Sequence, residues 1–297
     1  MERFLGVATA NTSNPALVTE AHLAFIDAGA NVITTNNYAV VPSCLKLCTN
    51  YQGTETITEL LAAAGRAAQE ARKARPDRDI KVAGCLPPLN ESYRADRVGT
   101  FEENLVQYRI ISSSIAPFSD VLLCETMSTA QEARAAVTAA LASAITCTHR
   151  TPPSNRSQET GLPVWVSWTL DEDSPVLRSG ETIHAALEAL ADLNVRAFLF
   201  NCSSPEITTQ ALDLLRSDPL VGADSLLGAY ANGFVTAKSG SGDYRSDLTP
   251  EQYWECHAKK WVEGIGAHRS IVGGCCGIFP AHIAHVRKQI DQTKQQK

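Results

Sequence analysis

The chain has 297 residues, with 26 basic and 32 acidic side chains and a formal net charge of −6. That balance argues against nucleic acid or an anionic membrane surface as the main partner, because both are usually met by a net-positive face. Hydrophobic residues make up 44% and charged residues 20%, the mix of a globular protein with a large core, so disorder as the dominant state is excluded.

No uncharged apolar run approaches the ~20 residues needed to cross a bilayer. The opening MERFLGVATANTSNP carries an acid and a base beside Met1 and no apolar h-region, so the expected location is the cytosol. Nine cysteines in such a chain fit reduced thiols or metal ligands better than a disulfide framework.

Seven short β-rich segments alternate with longer amphipathic or Ala-rich stretches. Asn14-Pro15 opens a helix with a cap and a first-turn proline, and Gly29 closes it ahead of strand Val32–Thr35. A helix from Thr54 to Arg75 leads to strand Ile80–Gly84, and Thr100–Ala116 leads to Val121–Cys124. Helix Ser128–Thr146 precedes Val164–Trp168, and Glu181–Leu193 precedes Ala197–Phe200. Helices Ser204–Arg216 and Thr249–Gly264 lead to Ser225–Ala229 and Ser270–Gly273, and Pro280–Gln295 ends the chain. Cys147 to Gly161 and Val235 to Asp247 read as polar loops.

Runs such as VLLC and AFLF suit strands buried on both faces, as in a parallel sheet. Strict alternation at this length favours an α/β fold of the (β/α)8 TIM-barrel type, one domain over residues 1–297. No Gly-x-Gly-x-x-Gly turn follows a strand, which disfavours a dinucleotide-binding sheet. Seven strands are one short of a closed barrel, and because the chain opens on a helix, the first strand is expected to be missing.

Two strands end in cysteine, in Phe200-Asn201-Cys202-Ser203 and Gly273-Gly274-Cys275-Cys276-Gly277. Strand C-termini of a barrel converge on one face, so Cys202, Cys275 and Cys276 can meet there. Three thiols suit zinc and leave a fourth position for substrate. Neighbouring residues of a regular strand point to opposite faces, so Cys275 and Cys276 share a metal only if the backbone leaves the pleat, which the flanking glycines permit. The competing reading is that these cysteines pack as small hydrophobes, as expected for Cys44, Cys48, Cys85, Cys147 and Cys256. With no close CxxC pair, both readings stay open on fold logic alone.

The segments VITTNNY (Val32 to Tyr38), AGCLPPLNESYRAD (Ala83 to Asp96), LCETM (Leu123 to Met127), FNCSSPE (Phe200 to Glu206), YANG (Tyr230 to Gly233) and GGCCG (Gly273 to Gly277) together resemble the homocysteine S-methyltransferase family. The resemblance runs from about Asn14 to His285. It implies a barrel, a Zn2+ ion on Cys202, Cys275 and Cys276, and methyl transfer from a sulfonium donor, S-methylmethionine or S-adenosylmethionine, to homocysteine. It also implies that Glu125 binds the substrate amino group, where the plainer reading is a solvated strand-end acid. Tyr38 and Asn232 match positions near the metal, and a side-chain oxygen from either suits the fourth zinc position; the plainer reading is local loop bonding.

Family members normally begin with a strand carrying an Asp-Gly turn, and the sequence here begins after it. The alternative expectation is therefore a catalytically impaired, truncated zinc-binding barrel. A third reading gives the vicinal Cys275-Cys276 pair a metal-free redox role. Trp165 and Trp168 are expected in the core, and His282 and His285 on the surface.

Overall fold

The computed structural model describes residues 2–46, 51–146, 161–233 and 248–295. The two expected polar loops, Cys147 to Gly161 and Val235 to Asp247, fall almost wholly outside them. Helix α1 (Glu2–Ser13) and α2 (Pro15–Asp27) precede β1 (Val32–Thr34), α3 (Pro42–Leu45) and α4 (Thr54–Lys73). Then come β2 (Lys81–Leu86), α5 (Phe101–Ile115), β3 (Val121–Met127), α6 (Ala130–Thr146), β4 (Val164–Trp168) and α7 (Ile183–Glu188). The remainder is β5 (Ala197–Asn201), α8 (Pro205–Ser217), β6 (Leu226–Tyr230), α9 (Pro250–Tyr253), α10 (Lys259–Ile265), β7 (Ser270–Val272) and α11 (Pro280–Gln295).

The helices start where side chains satisfy their free N–H groups. The Leu17 N–H donates to Asn14 Oδ1 at 3.3 Å, and Thr100 with Glu103 and Thr249 with Gln252 form reciprocal capping boxes. Three helical expectations are corrected. Residues Glu2–Ser13 form α1, which the sequence reading did not foresee; Asn11 anchors it by donating to the Asn36 carbonyl at 2.7 Å. The expected helix Glu181–Leu193 is only Ile183–Glu188 and ends in turns. The expected helix Thr249–Gly264 is α9 and α10 joined by a wide π turn at Trp254–Ala258.

All seven strands are parallel and neighbour one another in chain order, so each crossover returns beside the strand it left. The sheet curls, and the pleat sorts its side chains. Phe198 and Phe200 of β5, with Leu122 and Cys124 of β3, join the large core beneath the helices. Val121, Leu123, Ala197 and Leu199 fill a separate inner core with Trp165. Trp165 and Trp168 are both buried, as expected. Among the described residues no helix is long and apolar enough to cross a membrane.

Among the described residues β1 and β7 each have one strand neighbour and do not pair with each other. Between them lies a cavity of about 810 Å³, walled by both strands, by α2 and α11, and by the inward side chains Leu123, Trp165 and Leu199. Val7 and Ala10 of α1 border this cavity, so the N-terminal residues line the opening as a helix and do not close it as a strand.

Candidate active site

The inward face of the sheet carries the chemistry. Counting along the pleat of β3, Val121 and Leu123 point inward, and so does Glu125, whose carboxylate borders the cavity. Glu125 is only 8% exposed, and Tyr230 donates its hydroxyl to Oε2 at 3.2 Å. Burial raises the Glu125 carboxyl above its ordinary range, opposed by hydrogen bonds from Cys85 and Tyr230. A solvated strand-end acid is therefore the wrong description. Among the described residues no cation pairs with this buried group, and an incoming ammonium would supply one.

Cys85 and Tyr230 were missed as site residues in the sequence. Burial pushes both groups well above their ordinary values, and the neighbouring Glu125 charge adds to this, so both stay protonated and serve the carboxylate as donors. Only the position of Tyr230 in YANG, at the end of β6, was a signal for it.

Tyr38, after β1, shares a hydrogen bond with Ser92 Oγ at 2.7 Å and a second bond with Thr126 beside Glu125. Its hydroxyl is thus already engaged. Asn232 is different: it is buried, its N–H donates to the Ser203 carbonyl at 3.0 Å, and its Oδ1 has no partner among the described residues. An orphaned buried acceptor costs roughly 1–3 kcal/mol unless a ligand satisfies it.

The three cysteines converge. The sulfurs of Cys202, Cys275 and Cys276 all lie within 4.8 Å of one another. Cys202 follows β5 in a left-handed conformation, with φ of 52°, which turns its side chain out of the pleat. Beyond β7 the ladder with β6 runs on to Cys275, whose N–H donates to the Ala231 carbonyl at 2.8 Å, and slips by one residue at Cys276, whose carbonyl accepts the Gly233 N–H at 2.7 Å. Two glycines permit that path, since a Cβ at Gly274 would strike Ile278 and one at Gly233 would lie 2.7 Å from the Gly277 carbonyl oxygen.

The Cys202 and Cys275 sulfurs lie against one another, with Cα atoms 5.6 Å apart, close enough either to bridge or to share a metal. A disulfide and a metal centre are alternative states of these two sulfurs, since metal ligation requires both as thiolates. Burial raises the thiol of exposed-edge Cys276, so without a cation it stays largely protonated at neutral pH. Three soft sulfur donors fit a thiophilic cation of the Zn2+ type, and Asn232 lies between Ala231 and Gly233, whose backbones bond Cys275 and Cys276.

The remaining expectations divide. Cys85 is buried and Cys44 half-buried, whereas Cys256 is exposed; Cys48 and Cys147 lie outside the described residues. His282 is not a surface residue: it is buried, accepts the Phe279 N–H on Nδ1 at 3.1 Å, and donates from Nε2 to the Leu248 carbonyl at 2.9 Å. His285 is half-buried, 3.6 Å from a Glu251 oxygen.

A parallel α/β sheet with a carboxylate and a thiol cluster at its strand C-termini defines a barrel-type enzyme class. The family model described as "Homocysteine S-methyltransferase" matches residues 2–290, and the chain belongs to that family. It is 23% identical to homocysteine S-methyltransferase 1 of Arabidopsis thaliana, over 93% of this chain and 84% of the relative. The metallated form of the homocysteine methyltransferase MmuM from Escherichia coli superposes with a TM-score of 0.72 at 22% identity, covering 96% of this chain and 88% of that one. The oxidized form of MmuM gives 0.74 with the same coverage.

Proposed function

We propose that this chain transfers a methyl group from a sulfonium donor, S-methylmethionine or S-adenosylmethionine, to homocysteine, giving methionine. The convergence of three cysteine sulfurs within 4.8 Å carries this reading, with family membership beside it. Cys202, Cys275 and Cys276 would hold Zn2+, which when bound strips the proton from a coordinated thiol and keeps its sulfur nucleophilic at neutral pH. Glu125 would bind the homocysteine ammonium, held in place by Tyr230 and Cys85. Asn232 would supply an oxygen for the fourth metal position; the engaged hydroxyl of Tyr38 would instead brace the Glu125–Thr126 turn. The new S–CH3 bond forms as the donor S–CH3 bond breaks, and the sulfonium leaves as a neutral thioether. The test is methionine formation by reduced, zinc-loaded protein with homocysteine and each donor in turn; no methionine with either donor sinks the reading.

The open seam between β1 and β7 supports a second reading, a zinc-binding barrel of one domain that lacks one strand and is catalytically impaired. One zinc per chain without turnover separates it from the first.

A further inference from the structure

We infer that Asn201 is a positioning residue that fixes the distance between Glu125 and the Cys202 sulfur, and so sets the length of amino-acid thiol the site accepts. The inference rests on the homocysteine reading of that site. Asn201 ends β5, is 1% exposed, and reaches across two neighbouring strands. Its Oδ1 accepts the Thr126 N–H at 2.9 Å and the Ser167 hydroxyl at 2.7 Å, and its Nδ2 donates to Thr126 Oγ1 at 2.7 Å. A backbone N–H can only donate, so the orientation of the carboxamide is dictated by Thr126.

The two backbone segments it joins are both unusual. Thr126 has φ of 60° and Cys202 has φ of 52°, in a region that a β-branched residue almost never enters. Such conformations persist where the surroundings over-determine them. The pairing of β3 with β4 also shifts register between Cys124 and Met127, which turns Thr126 toward the carboxamide. Glu125 immediately precedes one strained residue, and Asn201 immediately precedes the other. One buried side chain therefore locks the turn that aims the carboxylate and adjoins the turn that aims the first thiolate.

In homocysteine three carbons separate the amino nitrogen from sulfur, and in cysteine two. If the ammonium sits on Glu125 and the sulfur beside Cys202, the clamp acts as a ruler, and a displacement near 1 Å of either anchor can cost about 100-fold. Side chains that orient metal ligands from behind typically change metal affinity 10- to 100-fold when removed.

The test compares parent, Asn201→Ala, Glu125→Ala and the double variant, all reduced. Homocysteine and cysteine dissociation constants are measured by calorimetry at matched zinc loading, and zinc affinity by chelator competition. Asn201→Ala should weaken homocysteine about 10- to 100-fold, narrow its preference over cysteine, and weaken zinc about tenfold or more. In the Glu125→Ala background the same change should cost less than about threefold in homocysteine affinity, because residues of one network are not additive. A merely structural role would lower the melting temperature while leaving these constants and the preference as in the parent, and that result overturns the inference. If Asn201→Ala does not fold, Ser167→Ala removes one of the three bonds and should weaken homocysteine a few-fold; parent-like constants there overturn the inference too. A parent that binds zinc but no homocysteine defeats the methyl-transfer reading, whereas parent-like zinc affinity in Asn201→Ala defeats the clamp.

Discussion

The corner formed by β3, β4 and β5 and the seam between β7 and β1 are built from the same parallel strands, yet they behave as opposites. Every residue of β3, β4 and β5 is buried, whereas β7 has none buried and β1 only Ile33. The corner contains two left-handed residues, Thr126 held by the buried Asn201 carboxamide and Cys202 next to it in the chain; the seam is three residues long on each side and encloses about 810 Å³. Strain is stored where packing can bear it. The proposed site draws on both, taking Glu125 and Cys202 from the corner and Cys275 and Cys276 from the loop leaving the seam.

The largest expected effect tests whether the seam side is needed at all. Cys276→Ala should reduce zinc from about one per chain, the value for a single three-ligand site with an open position, to near zero by elemental analysis of reduced protein. Full retention would mean that the corner alone binds metal and that Cys276 is no ligand. Glu125→Ala should leave zinc in place while raising the homocysteine dissociation constant about 10- to 150-fold, equivalent to a charge-assisted bond of roughly 1.5–3 kcal/mol. Unchanged affinity would remove Glu125 from the site.

A pH series isolates the corner when parent is compared with Glu132→Gln, because burial at the seam lowers the His22 imidazole to about 4 and makes stability rise with pH below its ordinary value of 6.5, opposing the corner. Burial lifts the Glu132 carboxyl to about 7, although it accepts the Ser128 N–H at 2.9 Å and the Tyr108 hydroxyl. A raised folded-state value means the fold favours the protonated acid. This stabilisation is complete below the ordinary carboxylate range and is lost as pH rises through about 7. At 1.36 kcal/mol per unit the loss is on the order of 3 kcal/mol. Denaturant unfolding should therefore show the stability of parent falling relative to Glu132→Gln from pH 5 to pH 8. A difference between the two proteins that is constant over this range would contradict it.

The smallest effect measures the comparison directly with one substitution in two places. Val166→Ala, in fully buried β4, should cost about 2 kcal/mol, combining lost transfer energy with a new cavity. Val272→Ala, in half-buried β7 beside the existing cavity, should cost about 1 kcal/mol or less. Equal costs by chemical denaturation would mean that the seam is packed as tightly as the corner.

The amino-acid sequence by itself determined the element order, because caps, first-turn prolines and continuous apolar strands are local signals read within a few residues. It located all seven strands, and the cysteines at the ends of two of them. It did not reveal α1, since Glu2–Ser13 is weakly patterned and held by Asn36, 25 residues beyond Asn11. Nor did it show that Thr249–Gly264 opens into a π turn or that His282 is buried beneath Leu248. The sequence named Glu125 and the three cysteines through motif resemblance, but the buried state of Glu125 depends on Tyr230, 105 residues away, and on Cys85. The clamp of Asn201 on Thr126 joins residues 75 apart. Only the tertiary structure decided these, because the curl of the sheet brings distant strand ends to one face, where desolvation and shared hydrogen bonds set each group's charge and direction.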